Sequence, residues 1–256
     1  MGELTLIRHG KTKWTEEKRF SGWGNAPLSD TGRDEACSAS KALKDANQEF
    51  DVCFTSRLLR AQDTAEIICD ELGMSPDKLH YRWHLNERHY GSLQNNLRSD
   101  MRQEHGAASV LKWRNSYHAK PPELKDNDPR WLEQLKRFKD IPQAEQPRGE
   151  SMAEAVKRTE LLWHKEIGPA IKSGKKVLVV AHTNSIRSLV RSIEGLDDVQ
   201  SAGFRMTTAT PRYYELDDAL KALASYNLTN SLKAKAHHWV IRRKMDVAKT
   251  LAFTKS

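Results

Sequence analysis

The sequence predicts an α/β fold built on a mostly parallel sheet covered by helices. Three apolar runs each break off abruptly at polar residues. Two of them feed directly into helical stretches, and strands and helices then alternate along the chain, as parallel sheets require.

The first run holds Thr5 to Ile7 and ends at Arg8-His9-Gly10, which reads as a short buried strand running into a loop. A helix follows near 31–46. The second strand, Phe50-Asp51-Val52-Cys53-Phe54, passes through Thr55-Ser56, both good N-cap residues, into a helix from Arg57 to Leu72 closed by Gly73. Residues 110–148, rich in proline and charge, read as a partly helical insertion over the surface. A helix over 151–172 opens on Ser151 with Glu154 three residues later, a capping box. Val177-Leu178-Val179-Val180-Ala181 is apolar on both faces, the mark of a fully buried strand, and His182-Thr183-Asn184-Ser185 turns into a helix from Ile186 to Glu194 stopped by Gly195. Pro211 to Leu216 reads as a later strand. In open α/β sheets ligands bind beyond the carboxyl ends of the strands, so the three polar clusters are expected in one crevice.

A length of 256 residues suits one large domain with a buried core. Charged residues at 30% against 38% hydrophobic argue for a folded chain with a charged surface and against disorder. No apolar run approaches a membrane span of roughly 18 residues and no signal-peptide pattern opens the chain, so a cytoplasmic protein with no membrane partner is expected. Gly2 suggests myristoylation, but Leu6 stands where that motif needs Ser or Thr. Cys37, Cys53 and Cys69 show no paired or metal-type spacing, and reduced thiols are expected. A net charge of +8 raises the question of a nucleic-acid partner. Residues 231–256 carry seven Lys or Arg against Asp246 alone, which accounts for +6 of it. The body is nearly balanced, and no nucleic-acid partner is expected. The tail reads as a basic amphipathic helix, with Leu232, Ala236, Trp239 and Val240 on one side and Lys233, Lys235, Arg242 and Arg243 beside them.

His9 and His182 close two buried strands, each with an arginine nearby, Arg8 and Arg187, and Arg57 and Arg60 stand three apart near a helix start. Any one of these features has an ordinary structural explanation; their convergence on one crevice does not. Guanidinium forks and helix N-termini bind phosphate oxygens. Zinc would need more His, Cys or carboxylate ligands and no adjacent cations, so no metal site is expected. With phosphate bound, one imidazole is the natural nucleophile and the other a stabiliser, while Glu87 supplies a carboxyl group for proton transfer.

Leu6-Ile7-Arg8-His9-Gly10 resembles the signature of the histidine phosphatase superfamily, and Glu87-Arg88-His89-Tyr90-Gly91 with Leu93-Gln94 resembles its cofactor-dependent phosphoglycerate mutase branch. Further matching pieces are Arg19 to Trp23, Leu28 to Gly32, Gly149-Glu150-Ser151 and His182 to Ser185. The resemblance spans roughly 3–230 and implies a three-layer α/β/α sandwich in one catalytic domain, 1–230, followed by the tail. It implies that His9 is the phosphorylated nucleophile, that Arg8, Arg60 and His182 form the phosphate pocket, and that Glu87 is the general acid and base. Thr12, Ser21, Gly22, Tyr90, Arg98, Arg114 and Asn184 would surround a small phosphorylated carboxylic acid, with 2,3-bisphosphoglycerate as primer and a homo-oligomer as an open possibility.

The sequence departs from that branch at Thr15, Arg98, Asn115 and Thr183, where such mutases usually carry Asn, Lys, a second Arg and Gly. Interconversion of 3- and 2-phosphoglycerate, favoured by Glu87 to Gly91, is the first expectation. Hydrolysis of a small phosphorylated substrate on the same scaffold is the second, and a catalytically silent binding protein the third. In related mutases the chain end folds over the active site, which would give the basic tail a role in holding an anionic ligand.

Overall fold

The computed structural model describes residues 1–228; the basic tail lies outside the described residues. Strands β1 (Gly2–Arg8), β2 (Val52–Thr55), β3 (Leu79–Tyr81), β4 (Val177–Ala181), β5 (Arg212–Leu216) and β6 (Ala222–Asn227) form one sheet in the order β3-β2-β4-β1-β5-β6. The β3-β2, β2-β4 and β4-β1 pairs are parallel and the β1-β5 and β5-β6 pairs antiparallel. The mostly parallel, helix-covered sheet is thus present, with β5 alone running against the rest.

Period-2 alternation along the two central strands divides the core. Leu4 and Leu6 of β1 and Val177 and Val179 of β4 face one layer, packing on Ile186, Leu189 and Ile171. Ile7, Leu178 and Val180 face the other, against Ala39, Leu43, Ala65 and Ile68. Helices α2 (Asp30–Asp45) and α3 (Leu59–Glu71) therefore cover one face, and α7 (Met152–Leu162), α8 (Gly168–Lys172) and α9 (Thr183–Glu194) the other. Every residue of β4 is fully buried. Each large apolar side chain there contributes about 1.5–3 kcal/mol, so the strand carrying His182 at its end is firmly anchored. Short α1 (Lys13–Glu16) follows β1, α4 (Arg98–His105), α5 (Ala107–Asn115) and α6 (Pro129–Arg137) lie between β3 and α7, with α6 and the end of α5 inside the 110–148 stretch, and α10 (Asp198–Gly203) follows α9.

Three local expectations are corrected. Helix α3 begins at Leu59 rather than Arg57, and Thr55 and Ser56 do not cap it. The Thr55 hydroxyl donates to Val180 O at 2.8 Å, while Ser56 Oγ pairs with His182. The polar residues after β2 are drawn into the site instead. The helix expected over 151–172 opens on the Ser151–Glu154 box, but a π turn at Trp163–Ile167 interrupts it, with Gly168 N–H reaching back to Trp163 O. Pro169 has no N–H and its ring crowds the carbonyl four residues earlier, so the widened turn falls just before it. Helix α9 starts three residues early, at Thr183, directly after His182.

One buried ion pair ties α7 to the loop that carries Glu87. Arg158 donates to both oxygens of Glu150 at 2.8 and 2.9 Å, and to the carbonyls of Trp83, His84, Asn86 and Glu87. Both residues are at most 6% exposed. Removing one partner strands a buried charge, which costs about 3–5 kcal/mol. Glu150→Ala should accordingly lose that much stability in urea unfolding, and a loss under about 1 kcal/mol would show that the pair behaves like a surface bridge.

Candidate active site

At the carboxyl ends of β1, β2 and β4 the three polar clusters converge. His9 follows β1 directly, its N–H bonded to Ala181 O at 3.0 Å, and its ring centroid lies 4.9 Å from that of His182. The Nδ1 of His9 is 2.7 Å from Gly10 O. A carbonyl only accepts, so Nδ1 carries the proton and Nε2 keeps its lone pair. Arg60 Nε donates to that Nε2 at 3.3 Å, while its Nη1 and Nη2 donate to Gly24 O and Gly22 O at 2.9 and 2.8 Å. Gly22 meets this demand with φ +48, and a Cβ there would collide with the Gln94 side chain. The loop is thereby held close enough to aim the guanidinium.

Burial, followed by the charges of Arg60 and Arg8, holds His9 well below the usual imidazole range, with the Gly10 bond opposing. His182 is pulled down in the same way by burial, then by Arg60, His9 and Arg8. Its Nε2 pairs with Ser56 Oγ at 2.7 Å. Ser56 Oγ also accepts from Leu58 N–H at 3.2 Å. Burial also lowers Arg60 to about 10.

A cavity of about 310 Å³ opens beside His9. Seven arginines line it, Arg8, Arg19, Arg60, Arg98, Arg114, Arg187 and Arg205, together with a single carboxylate, Glu87. Among the described residues only Arg19 of these has a carboxylate partner, Glu17. The Nε atoms of Arg8, Arg98 and Arg187 are buried with no acceptor among the described residues. Such concentrated cation makes the cavity strongly positive. Glu87 Oε1 accepts from the backbone N–H of Arg88 at 2.7 Å and of Asn184 at 3.3 Å. It forms no ion pair with Arg88, whose side chain donates to the carbonyls of Glu150, Trp113 and Ala119 instead. Asn184 Nδ2 donates to Tyr90 Oη at 3.1 Å.

The structure thus brings Arg8, His9, Arg60, Glu87, Ser21, Gly22, Tyr90, Arg98, Arg114 and Asn184 to one cavity wall, with His182 behind His9. Thr12 is the exception. It is fully buried and caps α1, Oγ1 accepting from Thr15 N–H while Thr15 Oγ1 donates to Thr12 O. Arg57, expected to share a face with Arg60, turns away to Asp140 at 2.6 Å because α3 has not yet begun. Arg205 is the cavity residue that sequence reasoning missed; it follows α10 in a loop with no motif. Among the described residues no group of three or more His, Cys, Asp or Glu is arranged to hold a metal ion. None of their helices is long and apolar enough to cross a membrane.

Sheet order and cavity together define an α/β protein that presents an imidazole to an arginine-lined cavity. The chain belongs to the histidine phosphatase superfamily (branch 1), whose family model matches residues 4–129 and 120–229. Members of that superfamily are phosphoryl-transfer enzymes. Among similar solved structures are the mycobacterial glucosyl-3-phosphoglycerate phosphatase, at 22% identity and TM-score 0.63 over 84% of this chain and 93% of that one. The α-ribazole phosphatase of Shigella flexneri matches at 21% and 0.64, over 86% and 93%. Bacillus stearothermophilus YhfR matches at 23% and 0.64, over 85% and 92%. At these identities the likeness is one of fold.

Buried neutral histidines make the folded state sensitive to acid. His89, fully buried and bonded to Gln134 at 3.0 Å, is lowered to about 4, chiefly by burial, with Glu150 and the Gln134 bond opposing. Below pH 6.5 the unfolded chain takes up protons that the folded one refuses, so stability falls with pH from about 6.5 to about 4. His89 alone contributes up to about 3 kcal/mol of that loss. Urea unfolding across this range should show the slope, and His89→Gln should flatten it; an unchanged slope would mean that His89 is protonated in the folded protein.

Proposed function

We propose that the protein is a phosphohistidine-forming phosphatase that acts on a small phosphate ester bearing a second anionic group. The observation that carries this reading is the locked tautomer of His9, which presents an unprotonated Nε2 to an arginine-lined cavity. In the first half-reaction Nε2 attacks phosphorus, the N–P bond forms and the P–O ester bond breaks. Glu87 passes its proton to the departing alkoxide. Water then attacks the phosphohistidine, Glu87 takes the water proton, and inorganic phosphate leaves with Nε2 restored. Arg8, Arg60 and His182 stabilise the oxygens of the transferring group by charge and hydrogen bonds.

Hydrolysis is favoured over mutation by two features of the cavity. A mutase must retain a bisphosphate while it turns round. Thr12 and Thr15 spend their hydroxyl groups on each other, and Asn115 on the wall is uncharged. The names of the glucosyl-3-phosphoglycerate and α-ribazole phosphatases agree with this reading. Mutase activity on phosphoglycerate, primed by 2,3-bisphosphoglycerate, is the second reading, favoured by the guanidinium groups of Arg98 and Arg114, which line the cavity together with Tyr90.

Purified protein given 3-phosphoglycerate, with and without 2,3-bisphosphoglycerate, should release inorganic phosphate faster than it makes 2-phosphoglycerate. His9→Ala should abolish both products and the acid-labile phosphoenzyme; labelling that survives would remove His9 as nucleophile. Chelation should leave the rates unchanged, because arginine does the work of charge stabilisation. Asn115→Arg should tip the ratio toward 2-phosphoglycerate by roughly 10- to 100-fold, the worth of one charge-assisted bond.

A further inference from the structure

Arg187 and Arg205 form a cationic pair that the phosphoryl-transfer step leaves unused. Arg187, on α9, is 7% exposed. Its Nη1 donates to Asn184 Oδ1 at 2.8 Å and its Nη2 to Phe204 O at 3.1 Å, while its Nε is buried with no acceptor. Arg205, in the loop after α10, donates through Nη1 to the same Phe204 O at 2.9 Å and to Ala202 O at 2.5 Å. Two guanidinium groups therefore share one carbonyl, and neither has a carboxylate partner among the described residues. Burial is the main cause that lowers Arg187, with Tyr90 and Glu87 opposing it and Arg205 adding to it. Both side chains line the cavity of His9.

Like charges held this close are unfavourable unless an anion joins them. The loop that carries Arg205 is not free to swing away, because Arg8 Nη1 donates to Met206 O at 3.1 Å and Ala209 N–H bonds to Arg8 O at 2.7 Å. Arg205 is thus tethered through its neighbour to the arginine that flanks His9. Asn115, also in the cavity lining, is uncharged. We propose that Arg187 and Arg205 form a second anion subsite, which receives a carboxylate or second phosphate of the substrate and makes Arg205 a specificity-determining residue. This rests on the phosphatase reading for the place of the first phosphate, which binds at His9.

Equilibrium binding separates the subsite from the chemistry, since it needs no turnover. Inorganic phosphate, phosphoglycolate and 2,3-bisphosphoglycerate would be titrated calorimetrically into wild type, Arg205→Gln and Arg205→Lys. The affinity of phosphoglycolate (one phosphate, one carboxylate) and of 2,3-bisphosphoglycerate (two phosphates, one carboxylate) relative to inorganic phosphate should fall about tenfold or more in Arg205→Gln and recover substantially in Arg205→Lys. A loss for phosphoglycolate, with or without the bisphosphate, assigns the subsite to the carboxylate that both carry, and a loss for the bisphosphate alone to the second phosphate. An unchanged ratio overturns the subsite, as does an equal loss for all three ligands, which would mark Arg205 as part of the general field. Phosphoenzyme formation by wild type is read separately: its absence sinks the phosphatase reading, whereas the affinity ratio still decides the subsite.

Discussion

The geometry of the catalytic wall depends on one guanidinium group. Arg158 reaches from α7 to four successive-region carbonyls, those of Trp83, His84, Asn86 and Glu87, while Glu150 neutralises it. Glu150 in turn accepts from the N–H of His89, and its carbonyl accepts from Arg88 Nε. A stretch whose one regular element is the short 3-10 turn Trp83–Leu85 is thereby given acceptors and donors by side chains, as buried polar groups require. Trp23 Nε1 adds a second donor to Glu87 O at 2.7 Å. Glu87 is consequently presented to the cavity by a backbone that has nowhere else to go.

The same accounting separates arginines that build the protein from those left to bind. Arg158 and Arg88 give most of their donors to carbonyls and carboxylates. Arg60 divides its role: two nitrogens fix the Gly22–Gly24 loop, and the third meets His9. Arg8, Arg98 and Arg187 each keep a buried Nε with no partner. An unsatisfied buried donor costs about 1–3 kcal/mol, more when it is charged. Three of them lie around one cavity, where under the proposed function the bound anion would supply the missing acceptors.

The alternation of strands and helices was plain in the sequence because apolar runs such as 177–181 have only one reading at that length, and their polar ends located the crevice. His9, His182 and Glu87 were legible for the same reason, since strand ends and a short motif mark them. Thr12, Arg57 and Arg205 were not. Thr12 is claimed by a reciprocal cap with Thr15, which competes with any ligand for the same hydroxyl. The orientation of Arg57 depends on where α3 starts, and a shift of two residues sends it to Asp140. Arg205 owes its place to two long-range bonds from Arg8, whose partners are about 200 residues away in the chain. Side chains placed by non-local contacts leave no local pattern to read.

Two histidines in contact between two arginines would be an unstable arrangement if either imidazole were charged, and desolvation joins the guanidinium charges in keeping both neutral. Neutrality suits His9, because a protonated Nε2 has no lone pair to offer phosphorus. It suits His182 only while the cavity is empty of anion. A phosphoryl group among these residues reverses the sign of the local field, so that the same burial which disfavoured positive charge now strengthens its attraction to the oxygens. Ser56 Oγ holds the His182 ring in direction through Nε2. Under the proposed function one set of fixed groups therefore serves two needs in sequence: it keeps His9 neutral before the anion arrives, and it supplies strong donors to the anion afterwards, with no change in the backbone that holds them.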